Sequence, residues 1–115
     1  MQVKIYHNPR CSKSRQALAL LQERGLNPLV VEYLQTPPSA KELDAILKLL
    51  RLEPRDVMRK QEAPYKQQKL DDPAKSRAQL LAAMAAHPIL IERPIVVANG
   101  KAAIGRPPEA VLAIL

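Results

Sequence analysis

Phenylalanine and tryptophan are absent from this 115-residue chain, which has three tyrosines, three glycines and one cysteine. With Tyr6, Tyr33 and Tyr65 as the whole aromatic complement there is little on which bases can stack, so nucleic acid is not an expected partner. One cysteine closes no intrachain disulfide, which excludes the small secreted class stapled by such bonds. No apolar run approaches the ~20 residues of a membrane-spanning helix, and Met1-Gln2-Val3-Lys4-Ile5 lacks the basic-then-apolar pattern of a secretory signal. The expectation is a cytoplasmic protein without a membrane partner. The cysteine and the two histidines do not have metal-site spacing, so no metal and no bound cofactor are expected.

Acid is also missing where base collects. Lys4, Arg10, Lys13 and Arg15 all precede the first carboxylate, Glu23, and from Lys48 to Lys69 seven cations meet only Glu53, Asp56 and Glu62. The formal net charge is +7. Such fields draw anions, and the scarcity of aromatics favours small ones. What remains is ordinary for a globular chain: 47% apolar, 25% charged, with eleven dispersed prolines. One domain spanning 1–115 is expected, burying roughly two-thirds of the unfolded surface.

Val3-Lys4-Ile5-Tyr6 alternates as a short strand, and His7-Asn8-Pro9-Arg10 breaks it with a turn. A helix from Ser12 presents Ala17, Leu18, Leu20 and Leu21 on an apolar face and stops at Gly25; Leu29 to Leu34 reads as a second strand, parallel to the first. Ser39 and Glu42 have capping-box spacing before Leu43, Ile46, Leu47 and Leu50. Glu53-Pro54 opens a short helix through Val57 and Met58, residues 60–75 read mostly as loop, and a helix follows from Ser76 to Ala86. Ile95 to Ala98 and Lys101 to Ile104 flank Asn99-Gly100, the pattern of a type I′ hairpin, before a terminal helix from Glu109. The order predicts an α/β, thioredoxin-like fold: a mixed four-stranded sheet flanked by helices, with a helical insertion.

Cys11 falls between the first strand and the first helix. The exposed N–H groups and dipole of a helix N-terminus favour an anion, thiolate included, and a thiolate is the nucleophilic form of cysteine. Arg10, Lys13 and Arg15 add charge beside it, and His7 adds more if protonated. Cys11-Ser12-Lys13-Ser14 has CxxC spacing with Ser14 in place of the second thiol. Ser14 either satisfies a backbone N–H in the first helical turn or donates its hydroxyl to the thiolate. With no second cysteine, a thiol that resolves oxidised Cys11 must come from another molecule. Arg59, Arg93 and Arg106 are candidates for anion capture, each with the plainer alternative of a surface position or a pair with Glu92, Glu109 or Glu62. In a thioredoxin-like fold Arg93, which precedes the third strand, faces Cys11, with a cis bond available at Pro94. Guanidinium forks suit tetrahedral oxyanions because they donate two parallel hydrogen bonds. His87, before a proline at a helix end, is read as a partner of that helix's dipole.

Over essentially its whole length the chain resembles the arsenate reductase family that uses glutathione and glutaredoxin. The resemblance is carried by Tyr6-His7-Asn8-Pro9-Arg10-Cys11-Ser12-Lys13-Ser14-Arg15, Tyr33-Leu34 with Pro37-Pro38-Ser39, Arg59-Lys60 with Pro64-Tyr65, His87 through Val97, and Gly105-Arg106-Pro107. It implies that the Cys11 thiolate attacks arsenate to form a cysteine–arsenic adduct, that glutathione displaces it as reducing co-substrate, and that glutaredoxin completes reduction to arsenite. It places the family's activity-supporting histidine on His7, its motif serine on Ser14, and its oxyanion arginines on Arg59, Arg93 and Arg106. Two rivals stand beside it: a non-catalytic Spx-like regulator that binds a protein partner, whose CxxC switch Ser14 disfavours, and a general glutathione-dependent thiol oxidoreductase, in which the three arginines have no tetrahedral anion to hold.

Overall fold

The computed structural model describes residues 2–115. β1 (Val3–His7) runs parallel to β2 (Leu29–Glu32) on one side and antiparallel to β3 (Ile95–Ala98) on the other, and β3 pairs with β4 (Lys101–Ile104), giving the order β2-β1-β3-β4. The register sets Ile5 opposite Val30 and Val96, and His7 opposite Glu32. The chain divides into two units. One takes it up to Thr36 and again from Arg93 to Leu115; the other is Pro37–Glu92.

In the first unit, alternation along the strands sends Val3 and Ile5 of β1 and Val96 and Ala98 of β3 into one apolar cluster. Ala17 and Leu21 of α1 (Ser12–Glu23) and Val111 and Ile114 complete it. Each large side chain buried there stabilises by about 1.5–3 kcal/mol relative to exposure. α1 ends as its sequence predicts: the Gly25 N–H donates to the Gln22 carbonyl and the Leu26 N–H to the Leu21 carbonyl, with Gly25 at φ +75°. Asn99 and Gly100 both have positive φ, 55° and 68°, as the type I′ hairpin requires.

Several boundaries differ from the sequence reading. β1 runs one residue further, so His7 ends a strand and is buried. β2 stops at Glu32, because the N–H groups of Gln35 and Thr36 both bond back to its carbonyl and turn the chain. The terminal helix is a 3₁₀ helix, Pro108–Ile114. Its buried residues Pro108, Val111 and Ile114 recur every third position, the repeat at which 3₁₀ side chains eclipse. Both Arg93–Pro94 and Arg106–Pro107 are cis, the first anticipated and the second not.

Gly105 packs against Pro94: a Cβ there would lie 2.6 Å from Pro94 Cγ and 3.4 Å from Ala17 Cβ. Neither is the end of a flexible side chain. Gly105→Ala is therefore expected to destabilise by about 1–3 kcal/mol through overpacking, read as a lower urea midpoint at unchanged slope.

The second unit is the helical insertion. In α2 (Ala40–Leu50) the Ser39 hydroxyl accepts the Glu42 N–H at 3.1 Å, the serine half of the predicted box, and Leu43, Ile46 and Leu47 are buried. α4 (Arg77–Ala86) packs on α2, burying Leu80, Leu81 and Met84, and carries a reciprocal Ser76–Gln79 capping box. Arg77 clamps Asp44 across that pair at 2.8 Å. A 3₁₀ helix spans Pro54–Val57, shorter than expected because Met58 is extended and bridges Ile91. Residues 60–75 are not all loop: α3 occupies Ala63–Gln67, begun by Pro64 in its first turn. His87 caps the end of α4, where its N–H donates to the Ala83 carbonyl at 2.8 Å. Among the described residues no helix is long and apolar enough to cross a membrane. The mixed sheet, the β1-α1-β2 crossover, the β3–β4 hairpin and the inserted helices make the fold thioredoxin-like, as the sequence predicts.

Candidate active site

Three hydrogen bonds shape the turn between β1 and α1. Asn8 Oδ1 accepts the Arg10 N–H and the Asn8 carbonyl accepts the Cys11 N–H, both at 3.0 Å, while Arg15 Nη1 donates to the Pro9 carbonyl at 2.9 Å. The first is an Asx turn, which a short side-chain carbonyl forms locally. Its result is to leave Cys11 with extended backbone at the N-cap of α1, its carbonyl accepting the Arg15 N–H at 3.0 Å.

Under the turn lies a buried polar knot. His7, Asn8 and Ser14 are the buried polar side chains among the described residues, and all three meet here. Ser14 Oγ accepts the Asn8 N–H at 3.0 Å and is hydrogen-bonded to His7 Nδ1. The side chain of Ser14 does serve a backbone N–H, but that of Asn8, which precedes the helix, and not one in the first helical turn as expected; it adds the bond to His7. Removing the hydroxyl strands partners in a fully buried place. Ser14→Ala is expected to cost about 1–3 kcal/mol, measured by chemical unfolding.

Burial holds the His7 imidazole below its ordinary pKa, with Arg15 acting in the same direction and Glu32 opposing. His7 is consequently neutral near pH 7 and supplies no positive charge to Cys11; that part of the sequence expectation gives way to burial.

The cations at the sulfur come from the other end of the unit. Arg106 Nη2 lies 3.9 Å from Cys11 Sγ, and its Nε donates to the Arg93 carbonyl at 2.8 Å. Burial opposes ionisation of Cys11. The Ser14 N–H, the hydrogen-bonding Arg93 guanidinium and the Lys13 N–H outweigh it and hold the thiol below its ordinary pKa. The thiol is half-buried, and as a capping atom it makes no short bond, so the first-turn N–H groups act on it as a diffuse positive end.

The structure thus gathers Cys11, Ser14, His7, Arg93 and Arg106 in one unit. Arg59 belongs to the other, where its guanidinium pairs with Glu62 at 2.9 Å and its N–H donates to the Leu90 carbonyl at 2.7 Å. Sequence reasoning missed the side chain of Asn8, taken only as a turn signal before proline. The available sign was that asparagine can bond to backbone two residues on.

The ArsC family model matches residues 6–114. The chain is 56% identical to the uncharacterized protein YfgD of Escherichia coli K12, over 99% of this chain and 97% of that one. It is 54% identical to the arsenate reductase of Neisseria meningitidis serogroup B, over 99% and 98% of the two chains. The solved structure of the arsenate reductase from Vibrio cholerae superposes with a TM-score of 0.97 at 56% identity, covering 100% of this chain and 98% of that one. With a whole-chain family match and relatives this similar along their full length, the chain belongs to the ArsC family.

Proposed function

We propose that the protein reduces arsenate to arsenite, with Cys11 as nucleophile and with glutathione and glutaredoxin supplying the electrons. The observation that carries this reading is a thiol of lowered pKa at the N-terminus of α1, with the guanidinium of Arg106 3.9 Å from its sulfur and Arg93 bonded to it. The relatives named arsenate reductase give the oxyanion its identity.

Arsenate presents tetrahedrally arranged oxygens to the arginine forks, which neutralise its charge and let an anionic sulfur approach. The thiolate forms a sulfur–arsenic bond, and an arsenic-bound oxygen leaves, protonated, as water. A glutathione thiolate then attacks the Cys11 sulfur. The new disulfide forms as the electron pair of the sulfur–arsenic bond returns to arsenic, so arsenic(V) departs as arsenite. Glutaredoxin takes the glutathionyl group by thiol–disulfide exchange and restores the Cys11 thiol. The net change is arsenate plus two thiols giving arsenite, one disulfide and water. A lone cysteine requires the second sulfur from outside, no bound cofactor enters, and a reducing cytoplasm is the compartment that suits such a cycle. His7 and Ser14 act as positioning residues that pin the turn to α1. Arg59 is assigned to oxyanion binding by resemblance alone, its guanidinium being paired with Glu62.

Mass spectrometry after incubation with arsenate and glutathione tests the reading. The expected product is a Cys11–glutathione disulfide that appears only when arsenate is present. An unmodified chain, together with no arsenate-dependent turnover when both thiol donors are supplied, contradicts it.

A further inference from the structure

We propose that the cavity beside the catalytic turn seats the zwitterionic γ-glutamyl end of the tripeptide thiol, with Arg10 taking its carboxylate and Glu32 its ammonium; this rests on the reading that glutathione is the reductant. The cavity holds about 180 Å³ and is walled by the β1–α1 turn on one side and the end of β2 on the other. The parallel register that sets His7 opposite Glu32 brings these segments together. His7 is neutral, so the full charges on the wall are Arg10 and Glu32, of opposite sign. Arg15 does not line the cavity, and its guanidinium donates to the Pro9 carbonyl. Both Arg10 and Glu32 are exposed, and among the described residues neither is in an ion pair.

Opposite charges on the two sides of one cavity discriminate between ligands. A simple oxyanion gains from Arg10 and is repelled by Glu32, whereas an amino-acid head satisfies both. Gln35 offers an amide to the peptide link, and Leu34, 40% exposed, offers apolar surface to the methylene stem. Size decides how much enters. At about 30 Å³ per water the space equals about six waters, below the ~300–1,000 Å³ that encloses a whole drug-sized ligand. It takes one end of the tripeptide. Arg10 adjoins Cys11 in the chain, with α-carbons about 3.8 Å apart, so the remainder needs to span only a residue or two to bring its thiol to Cys11.

The test requires no turnover. Cys11→Ser protein is titrated with S-methylglutathione, which has no thiol to react, and backbone amide shifts are followed. Saturable shifts are expected at residues 7, 8 and 10 and over 32–35. Glu32→Gln and Arg10→Gln, each added to that protein, should weaken binding about tenfold, the scale of one charge-assisted contact. N-acetylation of the ligand should cost the same factor against Cys11→Ser and nothing further against Cys11→Ser/Glu32→Gln. Any of three results overturns the proposal: no saturable shift in those segments, affinity indifferent to both substitutions, or loss on esterifying the glycyl carboxylate with none on N-acetylation. Inorganic phosphate binding there as tightly as the tripeptide does so as well. A chain that fails to reduce arsenate yet passes this titration loses the proposed function and keeps the cavity's assignment; the converse result separates them the other way.

Discussion

Cys11→Ser is expected to lower arsenate-dependent turnover by at least about 10⁴-fold, a loss of the order seen when an enzyme's nucleophile is removed. A serine hydroxyl stays protonated at neutral pH, and nothing in this site is placed to take its proton. His7 is occupied with Ser14, and the groups acting on the sulfur are donors. Folding should not suffer. Position 11 is the N-cap of α1, where cysteine makes no short capping bond and serine is a preferred residue. The variant gains a preferred capping residue and loses the thiolate's contribution to stability, so its urea midpoint should stay close to the parent's. Arsenite formation with glutathione and glutaredoxin supplied, read beside an unfolding curve, checks both halves. Retained turnover defeats the mechanism, and lost turnover in an unfolded protein proves nothing for it.

Arg93→Gln and Arg106→Gln are each expected to reduce kcat/KM for arsenate by about 10²–10³-fold, the cost of removing one donor aimed at developing negative charge. Both should also raise the pH midpoint of Cys11 alkylation, because each removes a cation from beside the sulfur. That second readout separates an electrostatic role from a structural one. Arg106 does one thing more: its Nε donates to the Arg93 carbonyl at 2.8 Å. Arg106→Lys keeps the charge and loses the fork, so it should recover part of the alkylation midpoint and little of the turnover. A general thiol oxidoreductase with no tetrahedral anion to hold predicts unchanged steady-state kinetics for both glutamine variants.

Much of this architecture was legible because periodicity and punctuation agree. Ser39 before Leu43, Ile46 and Leu47, Gly25 after Leu21, and Asn99-Gly100 between two β runs each combine an apolar repeat with a residue that starts, stops or turns the chain. Where one of the two is missing, the reading fails. α3 buries no side chain among Ala63–Gln67, so it leaves no apolar stripe to find. Over seven residues a repeat of three and one of 3.6 are hard to tell apart, which is how the Pro108–Ile114 helix passed for an α-helix.

At the site, the position of Cys11 followed from strand, turn and helix alone, and Arg93 beside it from the fold that those elements imply. The charge state of His7 did not follow. It depends on burial and on Glu32 and Arg15, one across the sheet register and the other a helical turn beyond Cys11. No local pattern records such an environment. The Asn8–Ser14–His7 knot was hidden for the same reason, being assembled from residues that sequence spacing does not oblige to meet.

The claim on which the mechanism stands is that Cys11 is ionised more readily than an ordinary thiol. With the folded value depressed below the unfolded one, the thiolate's contribution to stability appears as pH rises through the folded value, is complete above the unfolded value, and is lost on acidification. The direct measurement is the pH dependence of iodoacetamide alkylation of the native protein at its one cysteine. The account predicts a midpoint below that of the same chain unfolded in urea, moving upward in Arg93→Gln; a midpoint in the native, unaltered chain at or above the unfolded one contradicts it.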